Sequence, residues 1–364
     1  MKLSRLQVLI CLIFTIMSCT GKQKENVNSS LNMIVGTYTG TGSEGIYICS
    51  IDTVTGKSII LDSIRQENPS FLTLSPDKKF VYAVTENEDS SAGITAYSFD
   101  KGKLIKLNSI TGLGSAPCNI ATNGKEVSTA EYGGGSMTRY ALKSDGSLGS
   151  LIQHTLFRGG SVDKKAQLAP HIHSVVYNED GNLYISDLGS DKIYVQKDSM
   201  VIDTINFEPN FGPRHFVFSK DNKMMYVIGE LSGKVAVFKR ENGTFTAVQY
   251  ILSDLTEGVN GKGSADIHIS ADGKYLYTSN RLKNDGITIF SIVSDGTLKM
   301  VGYINTGIHP RNFTITPDDR WVIVTCRDSN SIEFYKRDSK SGMLTPKRDF
   351  IINSISKPVF VTIF

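Results

Sequence analysis

From Met33 onward the chain alternates short apolar stretches with polar turns, and the alternation itself repeats. Residues 68–110 show one unit. Phe71-Leu-Thr-Leu predicts a first strand, and Ser75-Pro-Asp-Lys-Lys a turn in which proline presets a dihedral and aspartate suits the polar bend. Phe80-Val-Tyr-Ala-Val-Thr is almost continuously apolar, the mark of a strand covered on both faces. Gly93 to Phe99 alternates as a third strand; Lys101-Gly-Lys closes a hairpin into an outer strand from Leu104 to Ile110. The unit opens seven times, at Pro69, Pro117, Pro170, Pro213, Ser264, Pro310 and Pro358, with spacings of 43 to 53 residues. A period of that size filled with short strands predicts an all-β, seven-bladed propeller.

The last opening, Lys357-Pro-Val-Phe-Val-Thr-Ile-Phe, leaves no room for three more strands. Its partners are therefore expected to be Met33-Ile-Val-Gly-Thr-Tyr and Gly45-Ile-Tyr-Ile-Cys, which closes the ring through one shared blade and leaves no major sheet edge open. No linker composition interrupts the period, so residues 33–364 are read as one domain. No stretch of the repeats carries a sustained helical period.

The amino terminus differs. Lys2 and Arg5 precede an apolar run from Leu6 to Met17, then Ser18 and Cys19. A basic start, a short apolar core and a small residue before the cut describe a secretory signal, and the run is short for a membrane span. Ile16-Met-Ser-Cys resembles a bacterial lipoprotein signal. On that reading residues 1–19 are the signal segment, Cys19 is lipidated, residues 20–32 form a tether, and the protein is exported and membrane-anchored, facing the periplasm. Plain secretion or an uncleaved anchor are the alternatives.

Composition narrows the function. After Cys19 only Cys49, Cys118 and Cys326 remain, an odd and scattered set that makes neither a disulfide framework nor a zinc spacing; buried thiols are expected. The formal net charge is +3, and no basic stripe with interleaved aromatics argues for nucleic acid. A closed ring needs no partner to cap an edge, so a monomer is expected.

Antiparallel pairing places the start of each first strand beside the end of each second strand, next to the central channel. First-strand starts supply His171, His173, Arg214, His215, Asp266, His268 and Arg311. Second-strand ends supply Glu86, Glu131, Asp187, Glu230, Asn280, Arg281 and Arg327. These residues are expected to ring one mouth of the channel.

Several ordered segments resemble a known family: Asn68-Pro-Ser-Phe-Leu, Ala116-Pro-Cys, Tyr132-Gly-Gly-Gly-Ser, Pro170-His-Ile-His, Asp187-Leu-Gly-Ser-Asp, Gly212-Pro-Arg-His, Glu230-Leu, Ser279-Asn-Arg and Pro310-Arg-Asn-Phe. Over about residues 33 to 364 the chain resembles the seven-bladed lactonases, which include bacterial propeller-type 6-phosphogluconolactonases and fungal carboxymuconate lactonizing enzymes. The resemblance implies an active site of His171 or His173, Arg214, Glu230 and Arg281. Asn119 stands where relatives often carry histidine and Glu131 where they often carry asparagine, both at positions expected on the rim.

That set is adequate for opening a lactone. Hydrolysis needs a base for water, donors for the developing oxyanion and a proton for the leaving alkoxide. His171 or His173 with Glu230 can share the proton transfers, while Arg214 and Arg281 offer fixed charge for an oxyanion, phosphate or carboxylate. Asp187, His215 and Asn280 are assigned to supporting positions. No Gly-x-Ser-x-Gly elbow accompanies a candidate triad, which favours direct attack by water. His171 and His173 could seat a metal with Asp187 or Glu230, but further ligands are not evident, and neither metal nor cofactor is expected. The arginines could instead be inter-blade ion pairs, though their place at two strand ends beside the channel favours binding, and Glu230 could be only their counter-ion. The expected partner is a small lactone. The rival functions are lactonization of a carboxylated substrate and a non-enzymatic binding propeller.

Overall fold

The computed structural model describes residues 30–112, 114–256 and 262–364. The described residues form seven four-stranded antiparallel sheets, each ordered from an inner strand beside the channel to an outer strand. The inner strands are Leu72–Leu74, Pro117–Thr122, Ile172–Tyr177, Pro213–Phe218, Ile267–Ile269, Pro310–Ile315 and Pro358–Ile363. Six sheets are built from consecutive strands. In the seventh, Pro358–Ile363 pairs with Ser30–Thr37, which pairs in turn with Gly45–Asp52. The ring is thus closed by the two ends of the domain, as the pattern predicted. The first strand begins at Ser30 rather than Met33, so three residues assigned to the tether belong to the sheet. The expected signal segment and Cys19 lie outside the described residues.

Second strands such as Tyr275–Asn280 and Trp321–Cys326 are buried throughout, because each is covered by a neighbouring blade on either face. The apolar clusters accordingly run between blades. Phe216, Met225 and Phe238 pack with Tyr184 and Ile193 of the preceding sheet. The turn after the inner strand repeats in detail: Ser75, Ser219, Ser270 and Thr316 each donate to the aspartate two residues on. Outer strands meet solvent and expose apolar side chains, Ile59 and Met200 among them. In the last complete blade the outer strand is only Leu344–Pro346, followed by a 3-10 turn over Arg348–Phe350.

Cys49, Cys118 and Cys326 are free and buried, as expected from their number and spacing. The 158–168 connection is less solvated than its composition suggests. Gln167 is buried and donates to the Leu188 carbonyl and the Asp191 carboxylate.

Candidate active site

The inner strands carry a common irregularity at their channel ends. Pro117, Pro213 and Pro310 pair with Glu131, Gly229 and Cys326, the last residues of the second strands, and the register then slips. A bulge of this kind re-aims the extra residue. The residues so placed are Cys118, Arg214 and Arg311. In the third blade the residue paired with the strand end, Asp187, is Ile172 and not Pro170. This inner strand has therefore slid by two positions relative to the prolines, and His173, not His171, occupies the bulge equivalent to Arg214 and Arg311. His171 lies one residue before the strand, on the loop that rises above it.

The second strands sort the remaining candidates. Their last residues point inward between blades: Glu131, Asp187 and Asn280 are all fully buried. Glu131 accepts from Thr129 at 2.6 Å and Ser136 at 2.5 Å. Asp187 accepts the backbone N–H groups of His171 and Ser190 at 2.9 and 3.1 Å. Asn280 bonds Ser253, Ser264 and Thr288, and among the described residues no bond joins it to the ionic cluster. The expectation that these strand-end residues line the mouth is corrected here. The residues one step further join the cluster: Tyr38 and Glu86 meet Arg311, Tyr132 meets His173, and Glu230 meets Arg214 and Arg281, while Arg327 pairs with Asp328. Asn119 is likewise not on the rim. Its Oδ1 accepts the Val175 N–H of the next blade at 3.1 Å, and Asp266 and Asn312 make the same latch to Phe313 at 3.2 Å and Val361 at 2.9 Å.

Glu230 is the centre of the resulting cluster. Its Oε2 receives Arg214 Nε at 2.8 Å, and its Oε1 faces Arg281 Nη2 at 3.2 Å. His173 Nε2 stands 4.0 Å from Oε2. Burial drives the carboxyl toward protonation, but Arg281, Arg214 and Arg311 outweigh it and hold Glu230 below the usual range. Arg214 is 1% exposed and largely committed, donating also to the Ala265 carbonyl. Arg281 donates from Nε to the Gly263 carbonyl at 2.7 Å, and burial brings its guanidinium down to about 9. The Glu230 side chain, at 24%, is more open than either guanidinium beneath it.

The histidines are not alike. Burial, reinforced by Arg214, pushes His173 well below the ordinary imidazole range, which keeps it neutral. His171 Nδ1 lies 2.9 Å from the Tyr132 carbonyl. A carbonyl only accepts, so Nδ1 carries a proton, and Nε2 is the ring nitrogen left without that bond. The ring also stacks on Tyr132, with centroids 4.4 Å apart. Gly189 makes room for this loop, since a Cβ there would sit 1.9 Å from the Ala169 carbonyl and 2.8 Å from His171 N. His215 donates to Asp266 at 2.7 Å, and Asp266 also faces His268 at 3.0 Å, a buried hub beneath Arg214. Tyr38 and Tyr132 were not among the sequence candidates; each follows a second-strand end, the same signal that marks Glu230. Among the described residues no cluster of three or more histidine, cysteine or acidic side chains could hold a metal ion.

Fold and rim together define an all-β propeller with a charged cup, in which a neutral imidazole stands near two clamped guanidiniums. The chain belongs to the seven-bladed β-propeller lactonases: the family described as "Lactonase, 7-bladed beta-propeller" matches residues 32–363. It is 35% identical to a 6-phosphogluconolactonase of Formosa agariphila over 89% of this chain and 98% of that protein. A Bacillus subtilis 6-phosphogluconolactonase is 31% identical over 85% of this chain and 92% of its own length. Among solved structures, a Bacteroides fragilis protein superposes with a TM-score of 0.87 at 40% identity, covering 93% of this chain and 99% of that one. The periplasmic gluconolactonase of Pseudomonas aeruginosa gives 0.86 at 29% identity, covering 92% and 99%.

Proposed function

We propose that this protein hydrolyses a sugar lactone to its acid by direct attack of water. The observation that carries the reading is the orientation of His171: with Nδ1–H spent on the Tyr132 carbonyl, Nε2 is the ring nitrogen left to take a proton at the mouth of the cup. His171 takes the proton of water as it adds to the ester carbonyl. The field of Arg281 and Arg214 stabilises the oxyanion that forms. Glu230 keeps both guanidiniums oriented and ionised in a buried place, and its own lowered basicity makes it a fixed anion instead of a proton carrier. As the tetrahedral intermediate collapses, the imidazolium of His171 returns the proton to the ring oxygen, now the leaving alkoxide. His173 stays neutral and braces Glu230 from the third blade. The names of the Formosa and Bacillus relatives support a lactone substrate.

The test is acid release at constant pH from glucono-1,5-lactone and 6-phosphogluconolactone, with His171→Gln as control. Turnover of either, lost in that variant, supports the reading. No rate above the uncatalysed opening would return the protein to the class of binding propellers.

We further propose export with a lipid on Cys19. Lys2, Arg5 and the apolar run from Leu6 support it, as does the likeness to a periplasmic gluconolactonase. No described helix is long and apolar enough to cross a membrane. Metabolic labelling with a fatty acid should mark the wild-type chain and not Cys19→Ala; equal labelling of both would sink the assignment.

A further inference from the structure

Arg311 differs from the other two arginines of the cup. Arg214 and Arg281 spend their donors on Glu230 and on backbone carbonyls. Arg311 sits at the equivalent bulge two blades from Arg214, yet among the described residues its closest acidic partner is Glu86 at 3.6 Å, beyond hydrogen-bonding distance. Its guanidinium lies over the Tyr38 ring, 5.5 Å from the centroid, and Glu86 is in turn occupied by the Tyr38 hydroxyl at 2.9 Å. The side chain is largely buried, so its place is set by packing. Among the described residues, none of its nitrogens is both unpaired and sealed from solvent, so the donors without a partner remain accessible, and the planar fork matches a carboxylate or phosphate with two parallel bonds. Tyr38 and Glu86 come from the closing blade and the one after it, so this subsite faces the Glu230 cluster from another side of the mouth.

We infer that Arg311, held by Tyr38 and Glu86, is a specificity-determining residue that binds an anionic substituent, carboxylate or phosphate, at the end of the lactone remote from its ester. The inference rests on the lactone-hydrolysis reading and names its substrate class. The clamped pair acts at the reacting carbonyl; Arg311 fixes the far end of the same molecule. Glu86 faces the guanidinium at 3.6 Å without a hydrogen bond that an incoming anion would have to break.

The experiment compares a neutral, a carboxylated and a phosphorylated lactone: glucono-1,5-lactone, glucaro-1,4-lactone and 6-phosphogluconolactone, each with the full chain and with Arg311→Met. The wild type should prefer at least one anionic lactone in kcat/KM, and which one it prefers identifies the group. In Arg311→Met that preference should collapse toward one, by roughly 30-fold and mainly through KM. Arg311→Lys, which retains charge without the fork, should restore part of it, and serves if the methionine variant melts early. A wild type indifferent to charge, or an equal loss on all three lactones, overturns the assignment. Should the wild type hydrolyse none of them, the lactonase reading fails by itself. Calorimetric titration with gluconate, glucarate and 6-phosphogluconate then decides the subsite: anion-selective binding that vanishes in Arg311→Met upholds it, and no such binding overturns it.

Discussion

Ile172 stands opposite Asp187, where a proline stands opposite the strand end in three other blades. This offset of two residues separates two histidines that look interchangeable in sequence. It leaves His171 on the loop with Nδ1 bonded to the Tyr132 carbonyl and sinks His173 into the bulge beside Arg214.

The two histidines should therefore fail differently. His171→Gln should lower kcat/KM by about 100-fold or more, the usual worth of a general base, with an unchanged melting temperature. His173→Gln should act first on stability and cost less than about tenfold in kcat/KM. Steady-state kinetics beside thermal melts separates them, and the opposite ranking would reassign the base.

Glu230→Gln removes the anion that two buried guanidiniums share. Breaking such a cluster from one side costs roughly 3 kcal/mol, because charge remains without compensation. Urea unfolding should show a loss of unfolding free energy of that order along with lost turnover. A variant as stable as the wild type would mean that water reaches Arg214 and Arg281 freely.

Stability should fall as the solution is acidified. Burial, helped by Arg214, brings His215 from 6.5 down to about 4, with Asp266 opposing. Burial, helped by Arg281, brings His309 from 6.5 down to about 3, against the pull of Asp328. Between pH 6.5 and 4 the unfolded chain takes up protons that the folded chain refuses, so stability is lost as pH drops through that window. The His215 contribution at pH 4 is roughly 3 kcal/mol. The melting temperature should decline from pH 7 to pH 4.5, and less steeply in His215→Gln; a flat profile for the wild type would contradict the assignment.

Ring closure should depend on one amide. Asn312 Oδ1 accepts the N–H of Val361, in the carboxyl-terminal strand that completes the seventh blade. Asn312→Ala leaves that N–H buried and unpaired, at a cost of about 1–3 kcal/mol. Hydrogen exchange should quicken at Val361 and its neighbours before the rest of the propeller; uniform exchange would show that closure does not rest on this latch.

Most of the architecture was legible in the residues. The repeat of Pro69, Pro117, Pro170, Pro213, Ser264, Pro310 and Pro358, the recurring turns and the unfinished last unit determined seven blades and a closure by both termini, because period and turn chemistry act locally. The same pattern brought Arg214, Glu230 and Arg281 to one mouth. What the sequence could not supply was register. Whether a strand-end residue points between blades, as Glu131, Asp187 and Asn280 do, or out over the channel, as Tyr38, Tyr132 and Glu230 do, turns on a single residue. The bulge that aims His173, Arg214 and Arg311 turns on one more. Neither leaves a mark in composition, since pairing in a sheet is chosen by the neighbouring strand and by the packing of the next blade. The division of labour among the arginines was likewise tertiary. Arg214, Arg281 and Arg311 are equivalent as letters, and only the carbonyls, carboxylates and rings around each decide which are clamped and which retains a free fork.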